Sequence, residues 1–153
     1  MEPFEISEAE FPEETVLSIR TKDALGAMGK HIGGLYALAA AKGLKPAGPV
    51  FAVYYEKPVD PSSVDYSIYL PVEGPPEELD KHEDFGGDRC LKLRLKGSYS
   101  RFKDAYAALE AEFVKRKLEM SGPPREVYVR GPFLGFMTFI PTMITDIYFP
   151  IKG

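Results

Sequence analysis

The chain contains no tryptophan, one cysteine and two histidines among 153 residues. With Cys90 alone, no intrachain disulfide can form, which suits a reducing cytoplasm and excludes a disulfide-stapled scaffold. No neighbouring basic cluster is expected to generate a thiolate at Cys90, so it reads as a small buried hydrophobe. His31 and His82 make no metal-spaced cluster with Cys90 or with a carboxylate pair, and no cofactor is expected. No apolar run approaches the roughly 18 residues that cross a bilayer, and the acidic start Met1-Glu2-Pro3-Phe4-Glu5 does not resemble a signal peptide. Neither a membrane role nor export is expected. Lys and Arg number 19 against 23 Asp and Glu, and the net charge of −4 argues against direct nucleic-acid binding. Walker loops, nucleophile elbows and a GxGxxG after a strand are absent, and Gly29-Lys30-His31-Ile32-Gly33-Gly34 lacks phosphate-loop spacing.

What remains is a globular composition, 44% hydrophobic, in a chain long enough for one domain over 1–153. A run beginning Gly-Pro recurs half a chain apart. Gly48-Pro49-Val50-Phe51-Ala52-Val53-Tyr54 has a counterpart in Gly122-Pro123-Pro124-Arg125-Glu126-Val127-Tyr128. Each copy closes on an aromatic-proline pattern, Tyr69-Leu70-Pro71 and Tyr148-Phe149-Pro150, giving pseudo-repeats of about 15–73 and 89–153.

In the first repeat, Thr15 to Arg20 alternates as a strand. Ile32, Leu35, Tyr36 and Ala39 share one helical face, with Gly43 as the stop. Val50 to Glu56 and Tyr66 to Val72 are expected strands, and Glu73 to Asp88 an exposed connector. In the second repeat, Cys90 to Lys96 alternates strictly, and Gly97-Ser98 offers a helix cap. Phe102, Tyr106, Leu109 and Phe113 mark a helix from Tyr99 to about Glu119, followed by strands at Arg125 to Arg130 and Thr145 to Ile151. The fold class is α+β: duplicated βαββ units, antiparallel pairing, two helices on one face, and a ligand cleft between the copies.

Alternation along the strand puts Glu126, Tyr128 and Arg130 on one side, and aligning the repeats sets Ala52 against Glu126 and Tyr54 against Tyr128. Glu126 is then the acid that breaks the symmetry. It is either an edge-strand charge paired with Arg125 or Arg130, or a carboxylate facing an apolar pocket. Tyr99, at the helix entrance, is either a packing staple or a ligand contact. The segment from Gly131 to Met143, with Phe133, Phe136 and Phe139, is extra core, a lid over an apolar pocket, or a dimer contact.

The turn Lys96-Gly97-Ser98-Tyr99, the strand Pro124-Arg125-Glu126-Val127-Tyr128 and the ending Thr145-Asp146-Ile147-Tyr148-Phe149-Pro150-Ile151 carry a resemblance that extends from about Thr15 onward. In order and spacing, the chain resembles the GyrI-like small-molecule-binding family, related to the effector domains of multidrug-responsive bacterial transcription regulators. The resemblance implies an SHS2-type duplicated fold and makes Glu126 the pocket acid. With this, the chain is expected to bind a hydrophobic or aromatic ligand, cationic ones included, in a cytoplasmic monomer or homodimer, with Tyr54, Tyr99, Tyr128, Phe133, Phe136, Phe139 and His31 as the expected contacts beside Glu126. No helix-turn-helix pattern precedes Thr15, so a complete regulator is not expected.

The family also includes proteins that look like hydrolases of strained cyclopropane rings, so Glu126 as general base with Tyr128 or Tyr99 as donor is the catalytic alternative. A protein-interaction module like the gyrase-inhibiting namesake is a third. A haem role, with His31 as axial ligand, is the weakest.

Overall fold

The computed structural model describes residues 4–57, 60–97, 101–130 and 143–153. The chain divides into two compact units, Pro12–Gly87 and the pairing of Met1–Phe11 with Asp88–Gly153. The helix of each unit packs on one face of that unit's antiparallel sheet.

In the unit Pro12–Gly87, β2 (Glu14–Asp23) leads through a 3-10 turn, Leu25–Ala27, into α1 (Met28–Ala41). The short β3 (Lys45–Pro46), β4 (Phe51–Tyr54) and β5 (Val64–Glu73) follow. Strand β5 pairs with both β2 and β4. Met28, Ile32, Leu35 and Ala39 are the buried face of α1, while Tyr36, expected on that face, is exposed. Gly43 ends the helix with φ +70°, a left-handed turn that glycine adopts without a Cβ clash.

The stretch expected as a bare connector is partly structured. It carries α2 (Pro76–Leu79) and β6 (Glu83–Phe85), and β6 adds to β2. Its polar composition hid the strand, because Glu83 and Asp84 are edge residues whose carboxylates accept from Ser18 and Thr15 at 2.9 and 2.7 Å.

In the other unit, β7 (Arg89–Lys96), α3 (Phe102–Arg116), β8 (Arg125–Arg130) and β9 (Ile144–Pro150) repeat the order, with β9 paired to both β7 and β8. The sequence showed no counterpart to β1 (Ile6–Glu10), which pairs with β7. The helix is shorter than the expected span, beginning at Phe102 and ending at Arg116, with Lys117 capping it at φ +56°. Leu91, Leu93 and Leu95 of β7 meet Ala105, Leu109 and Phe113 of α3 and Ile147 and Phe149 of β9 in one buried cluster. Burial of these side chains, at roughly 1.5–3 kcal/mol each, holds α3 on the sheet.

The pairing registers of the two units run in step. Leu17 pairs with Leu70 as Leu91 pairs with Phe149, and Ile19 with Ile68 as Leu93 with Ile147. Ala52 pairs with Ile68 as Glu126 pairs with Ile147, and Tyr54 with Tyr66 as Tyr128 with Thr145. One fixed offset carries Leu17 onto Leu91, Ile32 onto Tyr106, Ala52 onto Glu126 and Tyr54 onto Tyr128. The offset lengthens only between Tyr128 and Thr145, where the second repeat has its additional residues.

Candidate functional site

Where the repeats differ, a polar group stands on an apolar plan. The first unit has Ile32, 3% exposed, and Ala52, fully buried, under α1. The second has Tyr106 and Glu126 at the equivalent places. Glu126 is 8% exposed and Tyr128 4%. Because residues two apart on a strand share a face, β8 presents both side chains toward α3, beside Ile147 of the neighbouring strand. Tyr128 donates its hydroxyl to Glu126 Oε1 at 3.0 Å. Tyr106, four residues from Phe102 on α3, donates to Glu126 Oε2. Each carboxylate oxygen thus receives a phenolic O–H, and the Tyr106 ring lies 5.6 Å from the Phe149 ring and 6.5 Å from that of Phe102.

A carboxylate carried out of water loses several kcal/mol of hydration unless donors or a cation replace it. Two charge-assisted hydrogen bonds recover part of that cost, and the aromatic rings around them give flat apolar area. The arrangement can accept a further donor or a cation, or take a proton from a polarised group.

Of the two expectations for Glu126, the exposed acid paired with Arg125 or Arg130 does not fit its 8% exposure, and the side chain of Arg130 lies outside the described residues. Arg125 points to the other face of β8, donating to Asp88 at 2.7 and 2.5 Å and stacking over Phe11 at 4.8 Å. Its guanidinium holds the Asp88 carboxyl below the usual carboxylate range. On that same face Arg94 makes a two-pronged pair with Asp146, at 2.7 and 2.9 Å. On one face of this unit's sheet stand the Arg125–Asp88 and Arg94–Asp146 pairs, and on the other the buried acid among tyrosines.

The structure brings Glu126 and Tyr128 together and adds Tyr106, which the sequence had presented only as one of four apolar helical repeats. The signal that would have found it is the repeat itself, since Tyr106 replaces Ile32 as Glu126 replaces Ala52. Tyr54 ends β4 in the other unit, its ring 6.2 Å from that of Tyr66. His31 lies on α1, with Nε2 2.9 Å from Asp23 Oδ2 and its ring 6.5 Å from Tyr66. Tyr99, Phe133, Phe136 and Phe139 lie outside the described residues. Among the described residues no cluster of His, Cys, Asp and Glu could hold a metal ion, and no helix is long and apolar enough to cross a membrane.

The GyrI-like small-molecule-binding domain profile matches residues 4–152. The chain belongs to that family. A search of curated proteins finds no match. Among solved structures, the C-terminal domain of EcmrR superposes with a TM-score of 0.80 at 20% identity, over 97% of this chain and 98% of that one. In a complex of EcmrR with DNA, this chain corresponds to 57% of the longer EcmrR chain, at a TM-score of 0.80, 19% identity and 97% coverage of this chain. A protein from Listeria innocua described as a hydrolase gives a TM-score of 0.73 at 15% identity, over 96% and 91% of the two chains. These likenesses establish the fold, and with the family they establish a small-molecule-binding domain.

Proposed function

We propose that this GyrI-like domain binds aromatic, lipophilic cations at Glu126. The observation that carries the reading is the buried carboxylate with a tyrosyl hydroxyl on each oxygen, set where the other repeat has alanine. An apolar cation loses little hydration on entering such a site. It gains an ion pair with Glu126 and on the order of 0.5–2 kcal/mol for each ring face it covers. A ligand of equal shape without charge would gain only the apolar contact. The structure of SAV2435 bound to tetraphenylphosphonium, a TM-score of 0.51 at 14% identity over 99% of this chain and 95% of that one, supplies a suitable probe.

The test is calorimetric titration with tetraphenylphosphonium and, as its neutral counterpart, triphenylphosphine oxide. The cation should bind at least tenfold more tightly, and Glu126→Gln should remove that preference while leaving the neutral compound's affinity as it was. Equal affinities in the unaltered protein, or a preference that survives Glu126→Gln, would overturn the reading.

The hydrolytic alternative draws on the same geometry, because a carboxylate and two phenolic hydroxyls are also a base and two electrophilic donors. Glu126 would take a proton from water as the water oxygen bonds to a strained-ring carbon. The ring bond would break toward a conjugated carbonyl whose oxygen a tyrosine hydroxyl supports. Release of the ring-opened hydrate, lost in Glu126→Gln, is the result that would add catalysis to binding.

A further inference from the structure

The unit Pro12–Gly87 carries a concavity along α1 and β2. One cavity of about 430 Å³ is lined by Ser18, Ile19, Lys30, His31, Gly34 and Leu38, with Leu35 also in its wall. A second, of about 280 Å³, shares Ser18 and Leu38 and continues to Lys81, His82 and Glu83. Together they form a groove. From Lys30 to Leu38 it follows α1 for roughly 12 Å, taking the 1.5 Å rise per helical residue. Its volume lies in the range of small-molecule sites, about 300–1,000 Å³.

Apolar side chains stay open in it. Leu38 is 41% exposed and Ile19 36%, although both are the kind of residue that a helix-on-sheet contact normally covers. Gly34 sits in the middle of α1, where glycine costs about 1 kcal/mol relative to alanine. A Cβ there would meet nothing within 4 Å, so packing does not demand the glycine.

The charges along the groove are unevenly committed. Asp23 is engaged by His31 at 2.9 Å, Glu78 by His82 at 3.1 Å and by Lys81 at 3.8 Å, and Glu83 by Ser18 at 2.9 Å. Lys30, at the α1 end, makes no ion pair among the described residues. Each of these carboxylates thus has a close partner, while Lys30, which acts on Asp23 only through space, keeps its ammonium at the mouth of the groove without a close ion pair among the described residues. The geometry points to a site for an elongated amphipathic carboxylate, its chain along Ile19, Gly34 and Leu38 and its head group at Lys30. The site is of opposite charge preference to that proposed at Glu126, and does not depend on it.

The experiment uses the whole chain and three probes of one length: octanoate, 1-octanol and octylammonium. Binding is followed by calorimetry and by backbone amide shifts. Octanoate should saturate, with shifts concentrated at Ser18, Ile19, Gly34 and Leu38, and octylammonium should bind at least tenfold more weakly. Lys30→Glu should weaken octanoate about tenfold, the worth of one charge-assisted contact, and leave tetraphenylphosphonium binding unchanged. Gly34→Leu should block octanoate by filling the groove, and Gly34→Ala, which adds one methyl to open space, should narrow it with the fold intact. Octylammonium binding as well as octanoate, octanoate binding unaffected by either Lys30→Glu or Gly34→Leu, or absence of saturable binding would each overturn the assignment. Failure here leaves the cation reading at Glu126 standing, and the converse holds.

Discussion

Removing the Tyr106 hydroxyl tests the buried acid without touching its charge. Tyr106→Phe keeps the ring against Phe149 and deletes the hydroxyl that donates to Glu126 Oε2. A hydrogen bond to a charged group is worth about 1.5–3 kcal/mol, so the substitution should destabilise the domain by about 2 kcal/mol. At this chain length that corresponds to a fall in Tm of about 4–8 °C. In a Glu126→Gln background the acceptor is neutral and the same substitution should cost about 1 kcal/mol. The difference, about 1 kcal/mol, is the coupling between the hydroxyl and the charge. Urea unfolding of the four proteins, with m-values compared to confirm a common unfolded state, measures it directly. Tyr106→Phe costing the same in both backgrounds would show that the carboxylate does not depend on this hydroxyl, and the account of how Glu126 tolerates burial would fail.

Other consequences are independent of the ligand. Burial pushes the Cys90 thiol up to about 11, so iodoacetamide should label it at pH 8 only as the protein unfolds; the associated stability is present below the thiol's ordinary pKa and is lost as pH rises through about 11. Asp88, held low first by its hydrogen bond from Arg125, contributes stability above the ordinary carboxylate pKa that is lost as pH falls through its depressed value. Arg125→Met should return Asp88 toward the usual range in a carbon-detected NMR titration and flatten the acid limb of the stability profile. Gly86 has φ +108°, and a Cβ there would lie 2.0 Å from the Pro12 carbonyl oxygen, so Gly86→Ala should cost at least about 2 kcal/mol in urea unfolding.

Much of the fold was legible because the repeat and the strand alternation report the same physics twice. The stretch from Cys90 to Lys96 alternates because one face holds Leu91, Leu93 and Leu95 against α3 while the other carries Lys92 and Arg94. Strands β1 and β6 escaped notice for the converse reason. Each has a partner strand but little buried surface, and a strand held largely by backbone pairing leaves a weak hydrophobic signature. The end of α3 was overestimated because periodicity continues past the residue where the backbone turns left-handed, at Lys117.

At the candidate site, the strand residues were easier to read than the helix residue. Strand period alone places Glu126 and Tyr128 on one face, but it cannot say that Tyr106, at an ordinary apolar helix position, supplies the donor. An apolar stripe containing tyrosine has two meanings. The ring is core in either, and only the position of the hydroxyl's acceptor decides whether the residue is also polar machinery. Here the sister repeat decides it. Where Ala52 gives no acceptor, the equivalent helix position holds Ile32, a side chain with no donor; where Glu126 stands, it holds Tyr106. Because the acid without Tyr106 loses one of its charge-assisted hydrogen bonds, and the hydroxyl without Glu126 loses this acceptor, the two differences between the repeats are energetically coupled. Restoring the symmetry should therefore be cheaper in both places than in either. Tyr106→Ile with Glu126→Ala should fall short of the summed costs of the single substitutions by at least about 0.5 kcal/mol. Strict additivity would mean that the polar pair arose as two unrelated substitutions, and would remove the physical link on which the site rests.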